Sequence, residues 1–351
     1  MRNPDVTEWE IAVLGAGTMG LCIAQLFAMN GHRVRLYNRT PANLEKAVKQ
    51  IESNLHTLVE MEQIGETLIG ETLGNIRGGS DLKEAVTSAD FVIENVAERE
   101  ELKKEIFSRL DEYCGPDVIF ASDTSTMNIY EFITVSHPER LMISHFFNPA
   151  HVMPLVELVR GPETSDETVE AVKALMESVG KKTAVLNKAI PGFILNRITM
   201  AVFREASYIA ENGWATPEDI DKAITSTFGP RYAFEGPFGL SDFAGIDVYE
   251  RLGTLLPPVL NSSTECPEIL RGMVSRGELG VKSGKGFYTY GDAEEARRAR
   301  DTHIMKMIAA IRKVDEEMEA RAEKKSGGER GGIVDEQPYE ILRTVSGTDG
   351  F

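Results

Sequence analysis

The sequence predicts an α/β fold in which a doubly wound sheet domain is followed by a smaller, all-helical domain. Three observations support this prediction. Short apolar runs alternate with helical patterns between residues 10 and 150, which is typical of a sheet with helices on both faces. A glycine-rich turn follows the first run. After residue 191 the strand signal fades, and helical patterns dominate to about residue 276.

Seven apolar runs predict the strands, and helical segments between most of them predict a parallel sheet. The runs cover residues 11–14, 33–37, 91–93, 118–121, 141–143, 155–159 and 183–186. Residues 41–76 show apolar side chains at helical spacing and predict a helical pair, divided by Gly65 and Gly70. A further helix is predicted to begin after Ser165 and to stop at Gly180.

The domain boundary is predicted near residue 188. Residues 1–188 would form the cofactor-binding domain, and residues 189–292 a helical substrate and dimerisation domain. Residues 293–351 are rich in Ala, Arg, Glu and Lys and then in Gly. They predict a helix followed by a flexible tail.

The charge of the chain argues against several classes of function. The 351 residues include 38 Lys+Arg and 55 Asp+Glu, a formal charge of -17. Such a field repels nucleic acids and anionic membranes, so a small-molecule partner is expected. The three cysteines have neither pair nor metal-ligand spacing and are expected to be reduced core thiols. With no signal peptide and no membrane span in the sequence, a cytoplasmic location is expected.

The glycine-rich turn has the pattern of a dinucleotide-binding loop. It reads Gly15-Ala-Gly17-Thr18-Met19-Gly20, directly between the first strand and a helix. Gly15 permits the tight turn, Gly17 lets a pyrophosphate approach the backbone, and Gly20 allows close packing of helix and strand. The helix N-terminus offers unpaired N–H groups to the phosphates. The N-terminal domain is therefore predicted to be Rossmann-like.

The end of the second strand bears on the choice between NAD and NADP. Asn38 stands where NAD enzymes usually carry a carboxylate, and Arg39 follows it. Loss of the negative charge, together with a guanidinium, suits a ribose 2′-phosphate. The alternative is a solvated strand end with an ordinary surface arginine. NAD or NADP is the predicted cofactor.

Two ordered motifs predict chemistry at the carboxyl edge of the sheet. His145 follows the fifth strand in an apolar setting, and Glu157 lies twelve residues later. A histidine in such a run is more often a core residue than a catalyst. Asp123-Thr124-Ser125 ends another strand at the edge where doubly wound sheets bind ligands.

Together these motifs resemble the L-3-hydroxyacyl-CoA dehydrogenase family over about residues 10–290. The resemblance rests on GAGTMG at 15–20, VIENVAE at 92–98, DTS at 123–125, HFFNP at 145–149, PGFILNR at 191–197, GPF at 236–238 and GVKSGKGFY at 280–288. It implies a Rossmann-like domain joined to an all-helical domain, which usually forms a homodimer.

The resemblance also implies roles for individual residues. His145 matches the catalytic acid/base, and Glu157 matches the carboxylate that orients its imidazole. Ser125 matches the hydroxyl that contacts the reacting oxygen of the substrate, Asn196 completes the site, and Asn148 is expected to support His145.

Ala97, Glu98 and Lys103 match the cofactor cleft of the family. Simpler alternatives are a helix cap for Ser125, a domain-junction hydrogen bond for Asn196 and a solvated surface position for Lys103. No metal ligands are expected.

Three features depart from the family pattern. Asp123 replaces a common Asn, and a carboxylate there could raise its own pKa or that of the histidine. The turn of the helical pair, usually basic where coenzyme A is bound, is acidic at residues 60–66. Arg231 lies in a loop where it could bind a free carboxylate.

Three hypotheses follow for the function. The first is an NAD(P)-dependent dehydrogenase of an L-3-hydroxyacyl-CoA in fatty acid metabolism. The second keeps the chemistry but replaces the thioester with a small hydroxy acid or secondary alcohol. The third is a non-catalytic dinucleotide-binding protein, which the intact His145 and Glu157 pair disfavours.

Overall fold

Residues 5–325 are described by the computed structural model of the protein. The chain divides into two compact units, Met1–Ile198 and Thr199–Phe351. The division falls later than the boundary near 188 that the sequence predicts, and it lies inside a helix. The tail predicted to be flexible lies outside the described residues from residue 326 onward.

The first unit is built on one sheet of eight strands in the order β3-β2-β1-β4-β5-β6-β7-β8. The strands are β1 Ile11–Leu14, β2 Val34–Tyr37, β3 Ile76–Gly79, β4 Phe91–Glu94, β5 Ile119–Ser122, β6 Leu141–Phe146, β7 Leu155–Arg160 and β8 Lys182–Leu186. Its helices are α1 Thr18–Met29, α2 Pro41–Glu60, α3 Thr67–Gly74, α4 Leu82–Val86, α5 Glu100–Tyr113 and α6 Asp166–Ser178. Buried apolar side chains form two large clusters from these strands and helices. The α/β prediction is confirmed.

The sheet differs from the prediction in direction at one edge. β6 and β7 pair antiparallel, and β8 runs parallel to β7. The connection at residues 147–154 contains no helix. It is too short for the crossover that a parallel pair requires, so the chain must return in the opposite direction.

Three smaller expectations can be compared with the structure. Ser165 caps α6 by accepting the Thr168 N–H, as predicted. Gly65 lies between α2 and α3, but Gly70 lies inside α3, so its predicted role as a helix breaker is wrong. One glycine within a helix costs only about 1 kcal/mol, which neighbouring contacts readily offset. Cys22 is buried but Cys266 is exposed, so the core assignment fails for Cys266.

The described part of the second unit consists of helices joined by turns and loops, with two isolated β-bridges that pair Lys285 with Gly280 and with Thr289. Its helices are α7 Leu195–Glu211, which begins before the division, α8 Pro217–Ala223, α9 Gly229–Tyr232, α10 Pro237–Ala244, α11 Ile246–Leu255, α12 Glu268–Ser275 and α13 Ala293–Lys325. A π-helical turn, Ile224–Phe228, joins α8 to α9. Across residues 5–325, no helix combines the length and the apolar character needed to cross a membrane.

Candidate active site

The phosphate loop has the backbone geometry that its glycines predict. Gly15 adopts a φ of 116°, and a Cβ there would lie 2.5 Å from the carbonyl oxygen of Asn95. A Cβ on Gly20 would overlap the carbonyl oxygen of Gly15, so both positions exclude a side chain. A Cβ on Gly17, in contrast, would meet nothing within 4 Å. The space beside Gly17 is therefore available to a ligand.

The start of α1 fits a dinucleotide pyrophosphate. Gly17 is the N-cap and offers no side-chain bond to the helix, and the first turn contains no acidic residue. Gly17 and Thr18 are exposed, and Met19 is half-buried. The first N–H groups of α1 thus stay free for an anion, and the helix dipole favours one there.

The end of β2 leaves one cation free. The Asn38 Oδ1 accepts hydrogen bonds from the N–H of Thr40 at 3.0 Å and from the Asn43 Nδ2 at 3.4 Å, just before and within the first turn of α2. Arg39 is exposed and forms no ion pair within the described part of the chain. Its guanidinium is therefore available to an anionic ligand.

His145 and Glu157 form a buried, hydrogen-bonded pair. They lie opposite each other in the antiparallel register of β6 and β7, which brings their side chains together. The His145 Nδ1 lies 2.8 Å from Glu157 Oε2, with the two residues 5% and 0% exposed. An ionised carboxylate only accepts hydrogen bonds, so Nδ1 must carry the hydrogen. That tautomer leaves a lone pair on Nε2, to which no described residue donates a hydrogen bond.

The other carboxylate oxygen of Glu157 is held at the start of α7. Its Oε1 accepts the N–H groups of Ile194 at 3.0 Å and Leu195 at 2.9 Å. The turn before α7 directs these groups inward, with φ values of 77° at Gly192 and 49° at Phe193. Three hydrogen bonds therefore fix the carboxylate at the start of α7.

Two aromatic rings enclose the imidazole. The ring centroids of Phe147 and Phe193 lie 4.6 Å and 5.5 Å from that of His145. Phe193 is 1% exposed. These rings restrict the rotation of His145 and keep water from most of its surface.

Ser125 and Asn196 come together through the backbone. The Asn196 Nδ2 donates to the carbonyl oxygen of Ser125 at 3.2 Å. The Ser125 N–H donates to Glu98 Oε1 at 3.0 Å, and the Thr124 hydroxyl donates to the same oxygen at 2.8 Å. The Ser125 hydroxyl forms no hydrogen bond within the described residues. It is the free group at this end of β5.

Lys103 is sequestered in a second buried pair. It is 1% exposed, and its ammonium lies 2.8 Å from both carboxylate oxygens of Glu94 and 3.2 Å from Glu98. Ser122 donates its hydroxyl to Glu94 Oε2 at 2.6 Å. The alternative of a solvated surface lysine is wrong, because α5 turns this side chain toward the ends of β4 and β5.

Asp123 directly follows Ser122, the residue that donates its hydroxyl to Glu94. Burial raises the pKa of Asp123 well above its usual value, the N–H of Phe146 lowers it, and the charge of Glu94 raises it further. The shift has the direction that the sequence predicts for a carboxylate at this position.

Asn148 does not support His145 in the expected way. β6 ends at Phe146, the chain then turns, and Asn148 is exposed. No hydrogen bond joins it to His145 or Glu157 among residues 5–325. Ala97 is also exposed. Arg231 lies in α9 of the second unit, so its predicted place in a loop is wrong. It is exposed and forms no ion pair within that unit's described residues.

Models of two domains of one family match most of the described chain. Residues 10–189 match the model described as 3-hydroxyacyl-CoA dehydrogenase, NAD binding domain. Residues 192–290 match 3-hydroxyacyl-CoA dehydrogenase, C-terminal domain. The chain belongs to the 3-hydroxyacyl-CoA dehydrogenase family. It is accordingly an NAD-dependent oxidoreductase that acts on a CH–OH group. The hypothesis of a non-catalytic dinucleotide-binding protein is therefore wrong.

Relatives within the 3-hydroxyacyl-CoA dehydrogenase family differ in substrate. The chain is 40% identical over 284 residues to a probable 3-hydroxybutyryl-CoA dehydrogenase of Bacillus subtilis, covering 80% of this chain and 97% of the relative. It is 33% identical over 305 residues to 5-formyl-3-hydroxy-2-methylpyridine 4-carboxylate 5-dehydrogenase of Mesorhizobium japonicum, covering 87% and 97%. A crystal structure of an enzyme of that second name, described as an NAD+-dependent dismutase, aligns with a TM-score of 0.79 and 30% identity, covering 87% and 99%.

Two features of this family site are not evident from the sequence. The N–H groups of Ile194 and Leu195 bind Glu157, whereas the sequence shows these two residues only as part of the PGFILNR motif. Asn95 donates its Nδ2 to Asp123 Oδ2 at 2.7 Å. The signal for Asn95 is its position directly after β4, at the same edge as Asp123.

Proposed function

We propose that this protein is an NAD-dependent dehydrogenase in which His145 exchanges a proton with the hydroxyl group of the substrate. The observation that carries the proposal is the 2.8 Å bond from His145 Nδ1 to Glu157. It leaves Nε2 as the free basic atom of a ring that cannot turn, which is what a general base requires.

The chain's own residues perform the proton transfer. In oxidation, Nε2 takes the hydroxyl proton, and the imidazole becomes cationic beside the Glu157 carboxylate, which stabilises it. The bound nicotinamide supplies the hydride acceptor. In reduction, the same Nε2–H returns the proton to the carbonyl oxygen. Three hydrogen bonds hold the oxygens of Glu157 in place beside the imidazole.

Ser125 completes the contact with the substrate oxygen in this proposal. Its hydroxyl is unpaired within the described residues, while its backbone is fixed by Glu98 and Asn196. Glu98 and Asn196 therefore position Ser125. Lys103 acts through Glu98 in the cofactor cleft, since its ammonium is buried.

The cofactor proposal extends from NAD to NADP. Asn38 presents no charge to the ribose, and Arg39 is free to bind a 2′-phosphate. Arg39→Ala is expected to weaken NADP binding by roughly tenfold, the effect of one charge-assisted hydrogen bond, and to change NAD binding little. Isothermal titration with both cofactors measures this. Arg33→Ala, at the opposite end of β2, is the control. Strong rejection of NADP by the wild-type protein would contradict the proposal.

For the substrate, we place a small carboxylate-bearing alcohol ahead of the CoA thioester that the family motifs favour. Between residues 51 and 76, α2, α3 and their connection carry no lysine or arginine. They do carry five exposed glutamates, Glu52, Glu60, Glu62, Glu66 and Glu71. This surface repels the phosphates of coenzyme A, and salt does not screen contacts within about 8 Å.

Two further observations favour a substrate that carries a carboxylate over a CoA thioester. Arg231 forms no ion pair within the described residues of the helical unit, and we propose that it binds the carboxylate of the substrate. The relative from Mesorhizobium japonicum, which covers more of this chain than the Bacillus subtilis relative does, is named for a pyridine carboxylate.

The deciding experiment compares kcat/KM for 3-hydroxybutyryl-CoA with kcat/KM for a panel of free hydroxy acids, read by nicotinamide absorbance. We expect a free acid to be the better substrate. Reversing Glu60, Glu62 and Glu66 to lysine should raise kcat/KM for the thioester. Reversing Glu167, Glu170 and Glu177 on α6, an equal change of charge, should not. A wild-type preference for the thioester would restore the first hypothesis.

We also propose that the helical unit forms a homodimer. Beyond residue 198, the buried apolar residues of the described chain are Leu240, Met273 and Met305. Large apolar side chains there are mostly exposed instead, among them Phe238 at 86%. Apolar surface of this extent is typical of a protein interface. Sedimentation of the intact protein tests the proposal, and a monomer at micromolar concentration would contradict it.

A further inference from the structure

The strand that carries His145 extends beyond one of its neighbours. β5 ends at Ser122, which lies opposite Ile143 of β6, whereas β6 continues to Phe146. On its other side this extension pairs with β7, where His145 lies opposite Glu157. On the β5 side, no residue of the strand remains opposite the extension. The buried N–H of Phe146 therefore needs an acceptor from outside the ladder.

The side chain of Asp123 supplies that acceptor. Asp123 follows β5 directly, and its Oδ1 accepts the Phe146 N–H at 2.8 Å. Its Oδ2 accepts the Asn95 Nδ2 at 2.7 Å, and its own N–H donates to the Glu94 carbonyl oxygen at 2.9 Å. One carboxylate thus links the ends of β4, β5 and β6.

Asn95 connects this link to the phosphate loop. Its N–H donates to the Leu14 carbonyl oxygen at 2.8 Å. Its own carbonyl oxygen is the atom that leaves no room for a Cβ on Gly15. Contacts therefore run without interruption from Gly15 through Asn95 and Asp123 to Phe146, the residue next to His145.

We propose that Asp123 is a positioning residue for His145. Its carboxylate fixes the unpaired edge of the β6 extension and, through Asn95, sets the distance between the imidazole and the cofactor loop. The inference rests on the proposed function, because His145 must exchange the proton for its position to matter. A carboxylate suits the place, since both groups that approach it, the Phe146 N–H and the Asn95 Nδ2, are donors.

Asparagine at position 123 can keep both contacts. Its Oδ1 can accept the Phe146 N–H, and its Nδ2 can donate to Asn95 once the Asn95 amide turns over. The Asn95 Oδ1 is buried and has no partner within the described residues, so that oxygen is available. The pair Asp123→Ala and Asp123→Asn therefore separates loss of the contacts from loss of the charge.

The test measures kcat, the Kd for NAD and the low-field proton resonance of the His145 Nδ1–H. Asp123→Ala is expected to lower kcat by about tenfold or more, the effect of a displaced reacting group. It should leave the Kd for NAD within about threefold and shift or broaden the resonance. Asp123→Asn should keep kcat within about threefold. Asp111→Ala, which removes another carboxylate that accepts a backbone N–H, should leave kcat and the resonance unchanged.

Several outcomes overturn the inference. One is a wild-type kcat and resonance in Asp123→Ala, and another is a loss of kcat in Asp123→Asn as large as that in Asp123→Ala. A loss of kcat with an equal loss of NAD binding would show a general structural role. If Asp123→Ala does not fold, the test uses Asn95→Ala, which keeps the hydrogen bond between Asp123 and the Phe146 N–H. This variant should lower kcat severalfold. An unchanged kcat would overturn the proposed role of the link between Asp123 and Asn95. The resonance is recorded without substrate, so it tests the inference even if the proposed function fails.

Discussion

The N-terminal unit contains two buried charged pairs that differ in what they leave free. In one, the Lys103 ammonium contacts Glu94 and Glu98, so its three N–H groups are occupied. In the other, three donors satisfy Glu157, while His145 Nε2 has no partner among the described residues. Both pairs lie at the edge of the sheet where the parallel strands β4 and β6 end. A buried ionisable group can act in catalysis when its partner has all of its hydrogen bonds and one atom of the group itself has none.

The largest expected effect removes the free atom. His145→Gln is expected to lower kcat by about two to four orders of magnitude, the usual contribution of a positioned acid or base. Binding of NAD should persist in titrations. His32→Gln is the matched control, because His32 is also buried and its Nδ1 lies 3.0 Å from the Trp9 carbonyl oxygen. The His32→Gln control should have a lower free energy of unfolding and an unchanged kcat. Near-normal turnover of His145→Gln would show that the free Nε2 atom is not needed for catalysis.

The second prediction concerns the pair without a free atom. Lys103→Met leaves the Glu94 carboxylate buried without its cation, and should lower the free energy of unfolding by about 3–5 kcal/mol. The double variant Glu94→Gln with Lys103→Met removes both charges and should recover most of that loss. Urea unfolding followed by circular dichroism measures both. Equal destabilisation by the single and double variants would show that the pairing of the charges is not what matters.

The smallest expected effect is the pH dependence of stability at Asp123, which lies between the two pairs. Burial raises the pKa of this carboxyl in the folded protein, so the folded state holds the proton more tightly than the unfolded state. Stability must then fall as pH rises through the raised pKa. Asp123→Asn, which stays neutral, should therefore raise the Tm more at pH 8 than at pH 5. A Tm difference that does not change with pH would contradict this sign.

Most of the N-terminal fold can be predicted from the sequence, because its strands are apolar runs punctuated by turns. β3 is the exception. Its sequence, Ile76-Arg-Gly-Gly, contains one apolar residue, and it is an edge strand that buries little. The extension of β6 to Phe146 also escapes prediction, since a histidine interrupts the apolar pattern.

The chemistry of the site is only partly predictable. The twelve-residue spacing of His145 and Glu157 is compatible with a hairpin, but the register that places them opposite each other depends on the turn between β6 and β7. Lys103 carries no local sign of burial, because its partner Glu94 comes from a neighbouring strand. Asn148 lies near His145 in sequence only, since the turn after β6 takes it to the surface.

The most direct test of the account is the pH dependence of hydride transfer in single turnovers, with NAD and the best substrate of the panel. If His145 takes the proton, the oxidation rate of the wild-type protein should rise with pH through one ionisation, as neutral imidazole becomes available. That ionisation should be absent from the residual rate of His145→Gln and present in His32→Gln. The same ionisation persisting in His145→Gln would contradict the account, because the proton would then be passing to another group.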